Sequence, residues 1–105
     1  MTDALVVLVT TPSPERAAEI ARALVEERLA ACGNVVPGLR SIYRWEGKVQ
    51  DDAEALLVLK TTRARFEALR DRVLALHPYE VPEVLALPVA AGSARYLAWI
   101  AAETG

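Results

Sequence analysis

The residues best suited to bind a transition metal are one cysteine and one histidine, Cys32 and His77, each the only residue of its type in the chain. Thiolate and imidazole are ligands that copper favours, and the thioether of Met1 is the only other soft donor. One cysteine and one histidine cannot complete a four-coordinate structural zinc site. The sequence therefore predicts a metal site at Cys32 and His77, provided that the fold brings the two together.

Each of these two residues also has a purely structural interpretation. Cys32 suits a small buried apolar position, and His77 suits the end of a helix, where a cation meets the negative end of the helix dipole. The pair is typical of a thiol nucleophile with its base as well, but a thiol at the start of a buried strand is poorly reactive. Because the sequence has no glycine-rich phosphate loop, no nucleophile elbow and no HExxH motif, we expect no enzyme activity.

The composition indicates one packed domain spanning residues 1–105, with 53% hydrophobic and 25% charged residues. A net charge of −2 and the absence of a basic run argue against nucleic-acid binding. No apolar run approaches the roughly 18 residues that a membrane span needs, and the run at residues 5–9 is too short for a secretory signal. A lone cysteine cannot form an internal disulfide and suits a reducing compartment. We therefore expect a cytoplasmic protein.

The hydrophobic pattern predicts four strands and three helices that position these residues. The predicted elements are a strand at 4–10, a helix capped by Ser13 and ending near 29–31, hairpin strands at 34–45 and 48–60, a helix at Arg63–Leu76, a strand at 83–89, and a helix after Gly92 and Ser93. The last helix is expected to bury Tyr96, Trp99 and Ile100. This βαββαβ order, followed by a terminal helix, is typical of a ferredoxin-like α+β sandwich.

The predicted hairpin is long for a chain of this size. Each arm reaches ~40 Å when straight, whereas a globule of this length is about 33 Å across. The hairpin must bend, for which Pro37 and Gly38 are the expected place, or project towards another chain. The strands at 5–9, 55–59 and 84–87 are apolar on both faces, although two helices cover only one face of the sheet. We therefore predict a homo-oligomer, and surface burial alone does not fix the number of copies.

Several segments of the sequence resemble the CutA divalent-cation-tolerance proteins. They follow in unbroken order over nearly the whole chain: LVEERLAAC at 24–32, NVVPG at 34–38, SIYRWEGK at 41–48, KTT at 60–62, HPYEVPE at 77–83, LPV at 87–89 and YLAW at 96–99. The resemblance implies a ferredoxin-like homotrimer with its long strands between subunits. It also implies a role in tolerance of divalent cations with copper (Cu2+) binding, and no established reaction.

The resemblance carries over only part of a copper site. His77 is the matched position, whereas further ligands of copper-binding relatives fall at Thr10 and Leu76, which are not copper ligands here. A three-fold assembly still brings together three copies of one ligand, such as His77, Cys32 or Glu83. The expected metal ligands are therefore His77, Cys32 and Glu83.

A second candidate set is expected to line a cleft between subunits of the implied trimer: Tyr43, Trp45, Lys60 and Tyr79, together with Glu83. If Lys60 is buried it needs a carboxylate partner, and Glu83 is the expected one. Aromatic side chains beside such a pair suit a small polar ligand. The simpler interpretation of Tyr43 and Trp45, and the one that we favour, is that they are anchors in a subunit interface.

Two functions are therefore open. The first is a trimer that binds divalent metal, chiefly copper, in the response to metal ions. The second is a trimer that senses a small molecule in the intersubunit cleft, by analogy with the PII-type signalling proteins, which the resemblance places in the same architecture. An enzyme ranks last.

Overall fold

The computed structural model describes residues 2–105 and has the predicted element order. The elements are β1 (Ala4–Thr11), α1 (Pro14–Glu26), β2 (Cys32–Trp45), β3 (Lys48–Thr62), α2 (Arg63–Leu76), β4 (Leu85–Pro88) and α3 (Ala94–Glu103). The strands form one antiparallel sheet in the order β2-β3-β1-β4. The predicted ferredoxin-like α+β architecture is confirmed. No helix within residues 2–105 is long and apolar enough to cross a membrane.

The hydrophobic core lies between the sheet and the helices α1 and α2. Alternate residues of the two central strands point towards the helices, because successive side chains of a strand face opposite sides. The fully buried members are Val7 and Val9 of β1, Leu57 and Leu59 of β3, Ala17, Ile20 and Leu24 of α1, and Leu69 and Val73 of α2. Burial of apolar surface contributes about 25 cal/mol per Å², so this contact stabilises the fold.

Helix α1 begins as predicted and ends earlier than predicted. The Ser13 side chain accepts a hydrogen bond from the backbone N–H of Arg16 at 3.1 Å, which confirms the N-cap. The helix stops at Glu26 because the chain turns at Arg28, which has a left-handed φ of 60°. The Arg28 guanidinium donates to the carbonyl oxygen of Ala102 at 2.7 Å, so this turn is held by α3.

The β2–β3 hairpin both bends and projects. The strand register shifts between Val36 and Leu39, and Gly38 there has a φ of +78°, so the bend lies at the predicted place. The turn at its tip has a positive φ at both Glu46 and Gly47, as a two-residue type I′ turn requires. The domain is accordingly elongated, with extents of 44 × 25 × 22 Å.

The face of the sheet opposite α1 and α2 is largely uncovered. It carries the half-buried side chains of Val6, Leu8, Leu56 and Val58, and the more exposed side chains of Leu85 (57%) and Leu87 (49%) of β4. We call these six residues the open face.

Helix α3 covers only one end of the open face, by packing Ile100 against Ala4 and Ala31. The expectation that α3 buries three side chains was wrong for two of them, since Tyr96 is 44% exposed and Trp99 is 40% exposed. These aromatic residues lie beside an uncovered face rather than inside the core. Strand β4 is also shorter than predicted.

Candidate functional site

His77 is a buried, fully hydrogen-bonded residue at the junction of α2 and the segment that follows. It is the C-cap of α2, and only 7% of it is exposed. The backbone N–H of Tyr79 donates to Nδ1 at 3.1 Å, and Nε2 lies 2.7 Å from the carbonyl oxygen of Thr10. A backbone N–H can only donate and a carbonyl can only accept, so the ring is neutral with its proton on Nε2. The predicted C-cap position is confirmed, but the side chain acts as a neutral hydrogen-bonding group rather than as a cation.

Cys32 occupies a different environment at the start of β2. The residue is half-buried, and its Sγ lies 3.7 Å from the hydroxyl oxygen of Tyr96. The hydrogen bond with this thiol raises the pKa of Tyr96, and partial burial adds to the effect. Cys32 is therefore less enclosed than a core residue, and more accessible to a metal ion than His77.

One chain does not bring Cys32 and His77 together. Cys32 pairs with Lys60 of β3, which in turn pairs with Val6 near the start of β1. His77 instead contacts Thr10, near the other end of β1. Four residues of strand correspond to about 13 Å. No group of three or more His, Cys, Asp or Glu side chains within residues 2–105 is arranged to hold a metal ion. The predicted ligand set therefore does not form one site within a single copy.

A cavity of about 650 Å³ lies between the hairpin and the segment that follows α2. We call it the hairpin cleft. The side chains that line it are those of Thr10, Ser41, Ile42, Tyr43, Trp45, Glu54, Pro78, Tyr79, Glu80, Val81 and Glu83. Four of the residues named from the sequence, Tyr43, Trp45, Tyr79 and Glu83, are thus brought together.

Lys60 lies outside the hairpin cleft. Its ammonium group donates to the side-chain oxygen of Asn34, its diagonal neighbour on β2, instead of pairing with Glu83. The Lys60–Glu83 pair expected for a buried Lys60 does not form within one copy, because Lys60 is only half-buried and a nearby amide satisfies it.

Carboxylates dominate the electrostatics of the hairpin cleft. The Tyr79 hydroxyl donates to Glu54 at 2.6 Å, and the Tyr43 hydroxyl donates to Asp52 at 2.5 Å. Burial raises the pKa of Tyr79, and its hydrogen bond with Glu54 raises it further. Burial also raises the pKa of Glu83, and the negative charge of Glu54 adds to this.

Glu54 is the residue of the hairpin cleft that the sequence analysis missed. The available signal was its position: it is the last charged residue of the return strand before the apolar run Ala55–Leu59. At that place Glu54 is half-buried. Its carboxylate accepts a hydrogen bond from Tyr79, 25 residues further along the chain.

The fold and the hairpin cleft define a ferredoxin-like α+β protein with one open apolar sheet face and an acidic, aromatic-lined cavity. The sequence model described as CutA1 divalent ion tolerance protein matches residues 5–103. The chain therefore belongs to the CutA1 divalent ion tolerance family, and the resemblance noted in the sequence is confirmed.

Curated relatives and solved structures agree with this assignment. The Divalent-cation tolerance protein CutA of Thermus thermophilus is 61% identical over 100 residues, which is 95% of this chain and 97% of the relative. The chloroplastic Protein CutA of Arabidopsis thaliana is 51% identical over 91% of this chain, which spans only 53% of that longer relative. The solved structure of the Thermus thermophilus protein superposes with a TM-score of 0.94 at 60% identity, covering 97% of this chain and 99% of that one.

Proposed function

We propose that this protein acts in tolerance of divalent cations, as a cytoplasmic homotrimer that binds a divalent metal, with copper as the preferred ion. The observation that carries the proposal is the family match over residues 5–103. The proposed role is binding rather than catalysis, since the descriptions of the matched family and relatives name a tolerance and no reaction. The lone free thiol supports a reducing compartment.

The open face supports self-association. Burial of ~600 Å² of apolar sheet at about 25 cal/mol per Å² contributes on the order of 15 kcal/mol before the cost of association. A second copy is a natural cover, because its own open face has the same apolar character. The choice of three copies comes from the family resemblance. Sedimentation at micromolar concentration tests it, and a monomer would contradict it.

A copper site in such a trimer takes ligands from more than one copy. Among residues 2–105 the one hydrogen-bond partner of the Cys32 thiol is the weak contact with Tyr96, so Cys32 is the first candidate ligand. His77 must release the carbonyl of Thr10 or the N–H of Tyr79 before it can bind a metal. Glu83 lies in the hairpin cleft, separate from both. Three copies of Cys32 around a symmetry axis supply the soft donors that copper favours.

Titration of the purified assembly with Cu2+ tests these ligands. We expect Cys32→Ser to weaken binding by roughly tenfold or more, since even a supporting group of a metal site contributes that much. His77→Ala and Glu83→Gln are titrated in parallel, and Glu67→Gln on the exposed side of α2 is the matched control. Circular dichroism of each variant reports whether it is folded. Copper binding equal to that of the parent in all three ligand variants would show that the assigned ligands are wrong.

A second function, recognition of a small molecule, is favoured by the hairpin cleft. Its volume of about 650 Å³ lies within the range of small-molecule sites, which is roughly 300–1,000 Å³. Tyr43, Trp45 and Tyr79 supply apolar wall, and the carboxylates supply a few polar groups. Thermal-shift screening of the assembly against nucleotides, anions and amines tests this function, because a ligand of the folded state raises the melting temperature.

A further inference from the structure

The charges of the hairpin cleft are unbalanced. Glu54, Glu80 and Glu83 line it, and the lining residues include no lysine, arginine or histidine. Within residues 2–105, none of these three carboxylates takes part in a salt bridge; the salt bridges present join other acidic residues to arginines elsewhere. Glu54 and Glu83 are half-buried, and two like charges in such a place without a counterion are costly. The cleft therefore favours a positively charged occupant and disfavours an anion.

The aromatic walls decide what kind of cation fits. Tyr43, Trp45 and Tyr79 line the cavity, and both tyrosine hydroxyls are already committed to the carboxylates of Asp52 and Glu54. What remains for an occupant is ring surface and free carboxylate oxygens. Ring surface attracts ammonium groups and packs against their attached carbon atoms. A bare metal ion has no carbon atoms to pack against this ring surface, and no set of three metal-ligating side chains is arranged for one within residues 2–105.

We propose that the hairpin cleft binds a small organic ammonium ion, with its nitrogen against the carboxylates of Glu54 and Glu83 and its carbon atoms against Tyr43, Trp45 and Tyr79. This inference rests on the second function proposed above and names its ligand class. Glu54 is held in place by the Tyr79 hydroxyl, so one acceptor is oriented before the ligand arrives. Burial and the negative charge of Glu54 raise the pKa of Glu83. The same burial and the same charge favour an ammonium ion in the cleft.

Three probes of similar size and different charge test the proposal: choline, its neutral isostere 3,3-dimethylbutan-1-ol, and the anion 3,3-dimethylbutanoate. The readout is the indole N–H cross-peak of Trp45 in a ¹H–¹⁵N spectrum of the intact assembly, assigned with Trp45→Phe. The cross-peak of Trp99, which does not line the cleft, is the internal reference. We expect choline alone to shift the Trp45 cross-peak in a saturable manner.

Each alternative outcome has a distinct meaning. A saturable shift with the neutral or the anionic probe at equal or higher affinity overturns the ammonium assignment and leaves a small-molecule cleft in place. If no probe shifts the Trp45 cross-peak, the ammonium assignment is overturned. The same result contradicts the cleft as a binding site, and it is the result expected if a neighbouring copy fills the cleft.

Variants identify the groups responsible. Glu54→Gln and Glu83→Gln each retain the shape of the side chain and remove its charge, so each should weaken choline binding by about tenfold, as expected for loss of the attraction between one carboxylate and the cation. The exposed Glu67→Gln is the control for the loss of one negative charge and should leave the affinity unchanged. Equal affinities in the parent, Glu54→Gln and Glu83→Gln would contradict the assigned position of the cation.

Discussion

His77 donates its Nε2–H to the carbonyl oxygen of Thr10 over 2.7 Å, and so ties the end of α2 to the end of β1. The other ring nitrogen accepts from the backbone of Tyr79, and the two rings lie 4.6 Å apart. Tyr79 in turn forms a wall of the hairpin cleft. The one histidine of the chain therefore positions the cleft, whether or not it also binds a metal.

Replacement of His77 by Ala should lower the free energy of unfolding by about 1–3 kcal/mol. The change leaves the Thr10 carbonyl and the Tyr79 N–H without their partner in a largely buried place, and an unsatisfied buried group costs about that much. Urea denaturation of the assembly at fixed concentration measures it. Leu74→Ala on the exposed side of α2 is the control and should change stability by less than about 0.5 kcal/mol. Equal stabilities of His77→Ala and the parent would show that these hydrogen bonds are dispensable.

The elements of this fold could be predicted from the sequence because each has a local signal. Helix α2 spans the predicted residues, Arg63–Leu76, because apolar residues recur at helical spacing and a proline follows. The hairpin turn was equally local, since Gly47 adopts the positive φ of a type I′ turn without a steric cost, although Glu46 has a positive φ as well. The open face followed from strands that are apolar on both sides.

The contacts that position the site could not be predicted, because they join residues far apart in the sequence. Arg28 ends α1 by binding Ala102, which is 74 residues away, and no local pattern indicates that partner. Lys60 is satisfied by Asn34 on the neighbouring strand, a choice that depends on the strand register. The separation of Cys32 from His77 depends on the same register.

Replacement of Gly33 by Ala should destabilise the fold, because β2 passes close beneath α1 at this position. A Cβ at Gly33 would lie 2.8 Å from the Cβ of Ala21 and 3.1 Å from a methyl carbon of Leu59. Overpacking of this kind costs about 1–3 kcal/mol. Gly92→Ala is the control, since its nearest neighbour lies at 3.4 Å. The melting temperature of Gly33→Ala should be well below that of Gly92→Ala. The opposite order of melting temperatures would contradict the close packing.

Replacement of Trp45 by Ala should weaken self-association. Trp45 lies near the tip of the projecting hairpin, where part of its side chain lines the hairpin cleft and 39% of it is still exposed within one copy. This exposed part is available to a neighbouring copy, as expected of an interface anchor. Loss of a buried aromatic anchor costs about 2 kcal/mol or more, which raises the dissociation constant at least about thirtyfold. Sedimentation over a dilution series measures the change, with the exposed Leu74→Ala as the control. An oligomer as stable as the parent would contradict a role for the hairpin tip in assembly.

Replacement of Glu83 by Gln should stabilise the protein at neutral pH and have no such effect in acid. Burial and the charge of Glu54 raise the folded-state pKa of Glu83 above its ordinary value of 4.5. The folded protein therefore holds this proton more tightly than the unfolded chain, and Glu83 lowers stability as the pH rises from 4.5 through the raised value. Above that interval the full penalty is present, and below 4.5 it is absent.

The difference in unfolding free energy between Glu83→Gln and the parent should consequently be positive at pH 7 and should fall towards zero below about pH 4. Urea titrations at several pH values between these limits measure it. Glu67→Gln is the matched control, because it removes one negative charge from an exposed helix face outside the hairpin cleft. A Glu83→Gln protein that is less stable than the parent at neutral pH would mean that the Glu83 carboxylate has a stabilising cationic partner in the assembly. The cleft would then lack the unbalanced negative charge on which ammonium binding depends.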